Sequence, residues 1–287
     1  MRFKLSLLAL VLAGLAAGQA WANVFAVDGH DPRHVQPRSG EGHAFAAIGV
    51  LRNNSPIAML DDDDHLLYAR GEATAFLVSP CYAVTNYHAV FGEGSGPRDA
   101  QTDHSVTLSL GDRSSGHGFR ERVRAAPAFW GDFSEDRGGE DWAVLRLDRC
   151  VGAQIGWLDL TPRSPEAIGA GGLSIAGYPG DKDQAVLWRA DGCGVTARPQ
   201  DVGLWSSDCA ASPGSSGSPV FLIEDGGLKV VGIMEGADED RTDVQRRYSG
   251  GVANLVVDVS SILRRSEVRA AIKADIEAAR ASEINQP

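Results

Sequence analysis

The sequence predicts an all-β protein made of two six-stranded antiparallel β-barrels, with a cleft between them and one C-terminal α-helix. Short apolar runs separated by turn residues recur along the chain, a pattern typical of barrels and sandwiches. A stretch rich in Gly and Pro at 151–172 is the expected linker, and it divides these runs into two groups of six. From residue 259 the apolar spacing changes from that of strands to that of a helix.

Residues 1–22 have the composition of a secretory signal peptide. Arg2 and Lys4 give a basic start, residues 5–17 are apolar, and Ala20-Trp21-Ala22 places small residues around a cleavage point. An apolar run of 13 residues is too short for a membrane span, which needs about 20. We therefore expect cleavage before Asn23 and a secreted or periplasmic product.

Residues 23–43 are polar and contain two prolines, so we expect an extended N-terminal arm, with a pro-segment as the alternative. His30, His34 and His43 lie close together in this arm. A metal site is one interpretation of these histidines, but no helix or carboxylate scaffold accompanies them. Surface histidines are the favoured interpretation, and no metal is expected.

The first barrel is predicted within residues 44–150. Its six expected strands are 44–51, 73–78, 82–85, 106–110, 120–126 and 142–147. One intervening loop contains the acidic run Asp61-Asp62-Asp63-Asp64. Such a run is typical of a solvated loop tip and lacks the alternating ligands of a calcium loop.

The second barrel is predicted within residues 173–258 and the helix within 259–287. The six expected strands are 173–177, 185–191, 203–207, 219–223, 228–236 and 251–257. Apolar residues between Ile262 and Ile276 recur at helical spacing, with Ser260 or Ser261 as the expected cap. We expect this helix to pack on the second barrel.

Composition and charge exclude some classes of function. The chain is 43% hydrophobic and 23% charged, which is typical of a globular protein. Removing residues 1–22 takes away Arg2 and Lys4 and no acid, so the formal charge of −11 becomes −13. Nucleic-acid binding needs a concentrated basic surface, which this acidic chain lacks. We expect a monomer that binds neither nucleic acid nor, after signal cleavage, a membrane.

The four cysteines suggest two disulfides in an exported protein. We prefer Cys81–Cys150 and Cys193–Cys209, because each pair flanks its own group of predicted strands. The other pairings and free buried thiols stay open. No Cys-x-x-Cys motif is present, so structural zinc is not expected.

Three residues are candidates for chemistry. His88 follows the apolar run 82–85, and Asp141 stands at the mouth of a buried strand, where an acid is costly without a partner. Ser216 lies in a tight loop, 213–219, that can direct backbone N–H groups and a hydroxyl at one point. Together, in the order His, Asp, Ser, they predict a nucleophilic site.

These motifs resemble those of the trypsin-like (chymotrypsin-fold) serine peptidases, and most of all the bacterial branch with the V8-type glutamyl endopeptidases. The matching segments are Thr85-Asn86-Tyr87-His88-Ala89-Val90, Asp141-Trp142-Ala143-Val144-Leu145 and Gly214-Ser215-Ser216-Gly217-Ser218-Pro219. The third matches the family's Gly-x-Ser-Gly-Gly/Ser-Pro pattern, which selects Ser216 among the neighbouring serines. The chain order of the three motifs is also that of the family. The resemblance covers residues 23–259.

The resemblance implies a chymotrypsin-like fold and a Ser-His-Asp triad of His88, Asp141 and Ser216. His88 would take the proton of the Ser216 hydroxyl, and Asp141 would orient His88. The backbone N–H groups of Gly214 and Ser216 would form the oxyanion hole. No cofactor is implied.

The resemblance also places a substrate pocket at Ala210, Met234, Glu235 and Gly236. Trypsin-type enzymes have an acid at the position of Ala210, and glutamyl endopeptidases have a histidine at that of Met234. The resemblance therefore leaves the preferred substrate side chain open. Family members commonly need a newly freed N-terminus, which either signal removal or a further cut within residues 23–42 would supply.

The sequence predicts a serine endopeptidase that cleaves polypeptides through an acyl-enzyme intermediate. One alternative is a triad-bearing, adhesin-like binding protein with little turnover. Another is an esterase with the same machinery, but the chain lacks the Gly-x-Ser-x-Gly elbow and the strand–helix alternation of that class.

Overall fold

The computed structural model describes residues 24–25, 27, 30–36, 42–60, 66–92, 103–111, 121–133, 137–168, 171–197, 202–237 and 253–284. The expected signal peptide and the acidic run Asp61–Asp64 lie outside these residues. Within them, no helix has the length and apolar character needed to cross a membrane.

Most regular structure in the described residues is β. The strands are β1 (His34–Val35), β2 (Ile48–Asn53), β3 (Ile57–Leu60), β4 (Leu66–Ala69), β5 (Glu72–Leu77), β6 (Tyr82–Thr85), β7 (Val106–Leu110), β8 (Glu121–Trp130), β9 (Ala143–Leu147), β10 (Asp159–Leu160), β11 (Leu173–Gly177), β12 (Trp188–Cys193), β13 (Val195–Ala197), β14 (Leu204–Ser207), β15 (Pro219–Glu224), β16 (Gly227–Ala237) and β17 (Asn254–Asp258). The helices are α1 (Gly42–Phe45), α2 (His88–Phe91), α3 (Gly152–Ile155), α4 (Pro165–Ile168), α5 (Val259–Leu263) and α6 (Ser266–Ile284), with a 3₁₀ turn at Gly138–Glu140.

The first unit is a closed antiparallel barrel of six strands in the order β2-β5-β6-β9-β8-β7. This confirms the predicted six-stranded barrel. The expected strand 44–51 begins later, at Ile48, because α1 precedes it. Strand β8 runs on past Pro127, where its register with β9 shifts, and such bulges are where proline is tolerated in a sheet. The hairpin β3–β4 was not predicted.

The second unit differs in detail from a closed six-stranded barrel. It is a nine-stranded sheet with the path β1-β12-β11-β15-β16-β17-β14-β13, and β10 pairs with β16. Strands β12 and β13 are joined through Gly194 alone. This one bent segment therefore pairs with β11 near one end of the path and with β14 at the other end. The two-residue strands β1 and β10 add to the sheet from the arm and from the linker. Strands this short have no sequence pattern that predicts them.

The C-terminal segment forms two helices and not one. The side chain of Asp258 caps α5 by accepting a hydrogen bond from the Ser260 N–H, so the expected cap at Ser260 or Ser261 was wrong. Helix α6 also contacts the first barrel: Asp275 accepts hydrogen bonds from the Ser79 hydroxyl (2.6 Å) and the Cys81 N–H (2.7 Å). We expected the helix to pack on the second barrel and did not predict this contact with the first. The spacing of apolar residues gives no information about a hydrogen bond made by a carboxylate.

Both proposed disulfides are formed, Cys81–Cys150 and Cys193–Cys209. The two units also share apolar contacts, since the Phe45 ring packs edge-on against Phe221 with centroids 5.9 Å apart. The units are therefore joined by side-chain packing as well as by the linker.

Candidate active site

The structure brings His88 and Asp141 into direct contact. His88 begins α2 just after β6, and Asp141 follows the 3₁₀ turn that leads into β9. The imidazole Nδ1 lies 2.7 Å from one carboxylate oxygen of Asp141, and the His88 N–H donates to the other at 2.9 Å. With the carboxylate as the acceptor, this contact requires the form of His88 that carries a proton on Nδ1.

Asp141 is completely buried, which would be costly for an unpartnered carboxylate. Its side chain is satisfied by the two bonds from His88. Its backbone carbonyl accepts a bond from the Asn86 side-chain amide at 2.8 Å. These bonds hold the ends of β6 and β9 together and fix the imidazole against the acid.

Ser216 lies in a loop that is hydrogen-bonded to the first barrel. The Ser216 carbonyl accepts from the Thr74 N–H at 2.8 Å, and the Thr74 carbonyl accepts from the Thr85 hydroxyl at 2.8 Å. Gly217 has φ +82°, and a Cβ there would come within 2.0 Å of the Thr74 carbonyl oxygen. Only glycine allows this approach, which places the serine loop against β5 and the strand that leads to His88.

The Ser216 hydroxyl donates a hydrogen bond to the Glu235 carbonyl of β16 at 3.1 Å. In this structure its partner is therefore the strand carbonyl and not the histidine. The His88–Asp141 pair and the serine loop meet at the edge of the first barrel, but the hydrogen bond from the Ser216 hydroxyl to His88 Nε2 is not formed.

Two backbone N–H groups of the serine loop have no hydrogen-bond acceptor among the described residues. The N–H groups of Ser215, Gly217 and Ser218 donate to carbonyls of Ser212, Met234 and Ser215, respectively. Within the described part of the chain, the N–H groups of Gly214 and Ser216 donate to no protein atom. These are the two donors that the sequence predicts for an oxyanion hole. Gly214 has φ +91°, a left-handed conformation suited to glycine.

The residues predicted for a substrate pocket lie beside this loop. The Met234 carbonyl accepts from the Gly217 N–H, which places β16 next to the serine. Ala210 and Met234 are buried in one apolar cluster, and Glu235 is half-buried. Gly236 is buried at a register shift between β16 and β17.

Sequence reasoning missed Thr74, which organises the same region. Its hydroxyl lies 3.0 Å from both the Gly214 carbonyl, to which it donates, and the Tyr178 N–H, from which it accepts. This threonine sits in an ordinary apolar strand, 140 residues from Gly214, so nothing local marks it.

Metal-ligating side chains cluster at one place in the described residues, where Cys81, Cys150 and Asp275 meet. The two sulfurs are joined in a disulfide, and the carboxylate is hydrogen-bonded, so this group does not fit a metal ion. His30 and His34 of the arm are exposed, and the side chain of His43 is not among those that the structure describes.

Comparisons with known proteins agree with this architecture. The chain is 25% identical over 163 residues to the glutamyl endopeptidase of Staphylococcus epidermidis, a match that covers 55% of this chain and 51% of the relative. The same values hold for the protein named glutamyl endopeptidase of a second strain, ATCC 12228. The chain thus spans about half the length of the curated relatives it matches.

Solved structures support the fold. A Glu endopeptidase in complex with MPD superposes with a TM-score of 0.58 at 20% identity, covering 88% of this chain and 99% of that one. A thermostable serine protease, AL20, from an extremophilic microorganism gives a TM-score of 0.55 at 16% identity, with 80% and 98% coverage. The protease Anisep from Arthrobacter nicotinovorans gives 0.53 at 12% identity, with 79% and 93% coverage.

The model of the trypsin-like peptidase domain matches residues 73–233, more than half of the chain. That range contains His88, Asp141 and Ser216. The chain belongs to the trypsin-like peptidase family.

Proposed function

We propose that this protein is an exported serine endopeptidase that hydrolyses peptide bonds through Ser216, His88 and Asp141. The observation that carries the proposal is the buried Asp141–His88 pair beside a serine loop in which two N–H groups have no acceptor among the described residues. The family supports the same reaction class, since the chain matches the trypsin-like peptidase domain. The expected signal peptide supports export to the periplasm or the medium.

The reaction begins when the Ser216 hydroxyl exchanges its bond to the Glu235 carbonyl for one to His88 Nε2. His88 then takes the hydroxyl proton while the serine oxygen forms a bond to the substrate carbonyl carbon. The carbonyl oxygen becomes an oxyanion, which the N–H groups of Gly214 and Ser216 stabilise.

The tetrahedral intermediate collapses when His88 returns the proton to the leaving amine, and the C–N bond breaks. Water then attacks the carbonyl carbon of the acyl-enzyme while His88 takes a proton from it. His88 returns this proton to the Ser216 oxygen as the ester bond breaks, which releases the carboxylic acid product and free Ser216. Asp141 remains ionised throughout and stabilises the imidazolium through the 2.7 Å contact. The mechanism uses side chains and backbone alone, so it needs no cofactor.

We further propose that the substrate is a polypeptide with an uncharged side chain before the scissile bond. Ala210 supplies no carboxylate for a basic side chain, and Met234 supplies no cation for an acidic one. Both are buried in an apolar cluster.

A peptide-library cleavage assay of the exported protein tests the proposal, with Ser216→Ala and His88→Ala as inactive references. We expect cleavage after uncharged residues by the wild type and loss of turnover in both variants. Peptide binding without cleavage by the wild type would favour the adhesin-like alternative. A dominant preference for Arg, Lys or Glu would contradict the assigned pocket.

A further inference from the structure

The side chain of Arg33, in the N-terminal arm, is buried among polar groups, and two of these, Asp181 and Ser212, lie far from it in sequence. Its guanidinium contacts both carboxylate oxygens of Asp31, at 3.0 and 2.8 Å. It also contacts both of Asp181, at 2.9 and 2.6 Å, and donates to the Ser212 hydroxyl at 3.1 Å. Only 4% of the Arg33 side chain is exposed. Such bidentate pairs fix geometry because the planar fork matches the carboxylate.

The charges around Arg33 are balanced. Lys182 contacts Asp31 at 2.8 Å, so two cations face two carboxylates. Burial opposes ionisation of Asp31 and Asp181, but hydrogen bonds from Arg33 outweigh it and hold the pKa of both carboxyl groups below its ordinary value. Burial also opposes the charge on Arg33, yet the same bonds raise its pKa. The guanidinium is therefore a fixed cation.

This network reaches both sides of Gly214. Ser212, which Arg33 contacts, donates its N–H to the Ser215 hydroxyl (3.2 Å), and its carbonyl accepts from the Ser215 N–H (2.9 Å). Asp181, the other contact, follows Gly180, whose N–H donates to the Pro213 carbonyl at 2.6 Å. Arg33 thus joins the loop 178–184 to the loop 212–217 at the point where the oxyanion donors lie.

The arm is fixed in place independently of Arg33. Strand β1 pairs with β12, matching His34 to Arg189 and Val35 to Trp188. The Gln36 N–H donates to the Leu187 carbonyl at 2.9 Å. The arm therefore forms a strand of the second sheet, and the position of the Arg33 backbone is fixed by this pairing.

We propose that Arg33 is a positioning residue. Through Ser212 and Asp181, it holds the loop 212–217, which carries the proposed oxyanion donors, in its working conformation. The proposal rests on the function proposed above for Gly214 and Ser216. In this proposal, a side chain within the arm orders this loop. The arm around Arg33 is then a permanent part of the working protein and not a discarded pro-segment.

Hydrogen–deuterium exchange and peptide hydrolysis on the full exported protein test this proposal. We expect Arg33→Gln to speed amide exchange in the peptide containing residues 212–217 at least tenfold. We also expect kcat to fall by about 10- to 100-fold with KM little changed. A misplaced oxyanion donor reduces the stabilisation of the transition state far more than that of the bound substrate. Arg33→Lys keeps the charge without the fork and should recover part of both losses.

Two further variants guard against an effect on folding alone. Ser212→Ala leaves the ion pairs of Arg33 in place and removes the two hydroxyl hydrogen bonds that join the loop to Arg33 and to Asp181. It should therefore shift both readouts in the same direction by a smaller factor. Arg163→Gln removes the half-exposed ion pair with Glu224 and should change neither. Unchanged exchange and kcat in Arg33→Gln and Ser212→Ala would overturn the proposal. A wild type without turnover would instead refute the proposed function, and the exchange data would still decide the role of Arg33.

Discussion

Replacing Gly214 with alanine tests the backbone role assigned to this residue. Gly214 has φ +91°, and a Cβ on it would lie 2.9 Å from the Tyr178 carbonyl oxygen and 3.0 Å from the Gly180 nitrogen. Both neighbours are backbone atoms that cannot rotate away, so the loop itself must move. The left-handed conformation alone costs an L-residue about 1–2 kcal/mol.

The displaced N–H would no longer face the position of the oxyanion. Loss of one such donor costs about 2.7–4 kcal/mol of barrier, which corresponds to a fall in kcat of about 10²–10³. Steady-state hydrolysis of a peptide substrate measures this fall, and thermal unfolding measures the loss of stability. We expect both effects, with KM changed far less than kcat.

Gly226→Ala is the matched control. Gly226 has φ +75° but no heavy atom within 4 Å of a built Cβ, so it shares the strain without the displacement. The Gly226→Ala protein should lose about 1–2 kcal/mol of stability, which is the cost of an L-residue in the left-handed conformation, and should keep its kcat. A folded Gly214→Ala protein with kcat within about fivefold of wild type would refute the oxyanion role, and so would an equal fall in kcat in Gly226→Ala.

Three other outcomes are expected. Asp141→Asn should keep the fold and lower kcat by about 10⁴, because the amide favours the wrong imidazole tautomer; a loss below tenfold would contradict its role. Replacing Cys193 and Cys209 by serine opens a loop of 16 residues and should cost about 3 kcal/mol in urea unfolding, whereas no change would show that this bond does not stabilise the fold. The folded-state pKa of Asp31 is lowered, so the unfolded chain binds more protons and the stabilisation is complete above its ordinary value of 3.8. The difference in unfolding free energy between wild type and Arg33→Gln should therefore be full at neutral pH and shrink as the pH falls below 3.8, and a constant difference would argue against this ion pair.

The sequence predicted elements best where an apolar run is bounded by turn residues. The predicted strands 82–85, 106–110 and 173–177 agree with β6, β7 and β11 to the residue. The motifs also identified the buried His88–Asp141 pair, since an acid at the mouth of a buried strand requires a partner.

Contacts between distant polar residues could not be predicted in the same way. Arg33 and Asp181 are separated by 148 positions, and neither lies in a periodic pattern. Asp275 faces the first barrel from a helix whose apolar spacing says nothing about which unit it contacts. The chain folds back to bring such groups together, and only the three-dimensional structure shows which carboxylate meets which donor.

Labelling with a fluorophosphonate probe, located by mass spectrometry, tests the central claim that Ser216 is an activated nucleophile. We expect the wild type to carry one probe adduct on the peptide containing Ser216. The neighbouring variant Ser218→Ala should label as the wild type does, and Ser216→Ala should not label. An unlabelled wild type, or equal labelling of Ser216→Ala, would contradict the account.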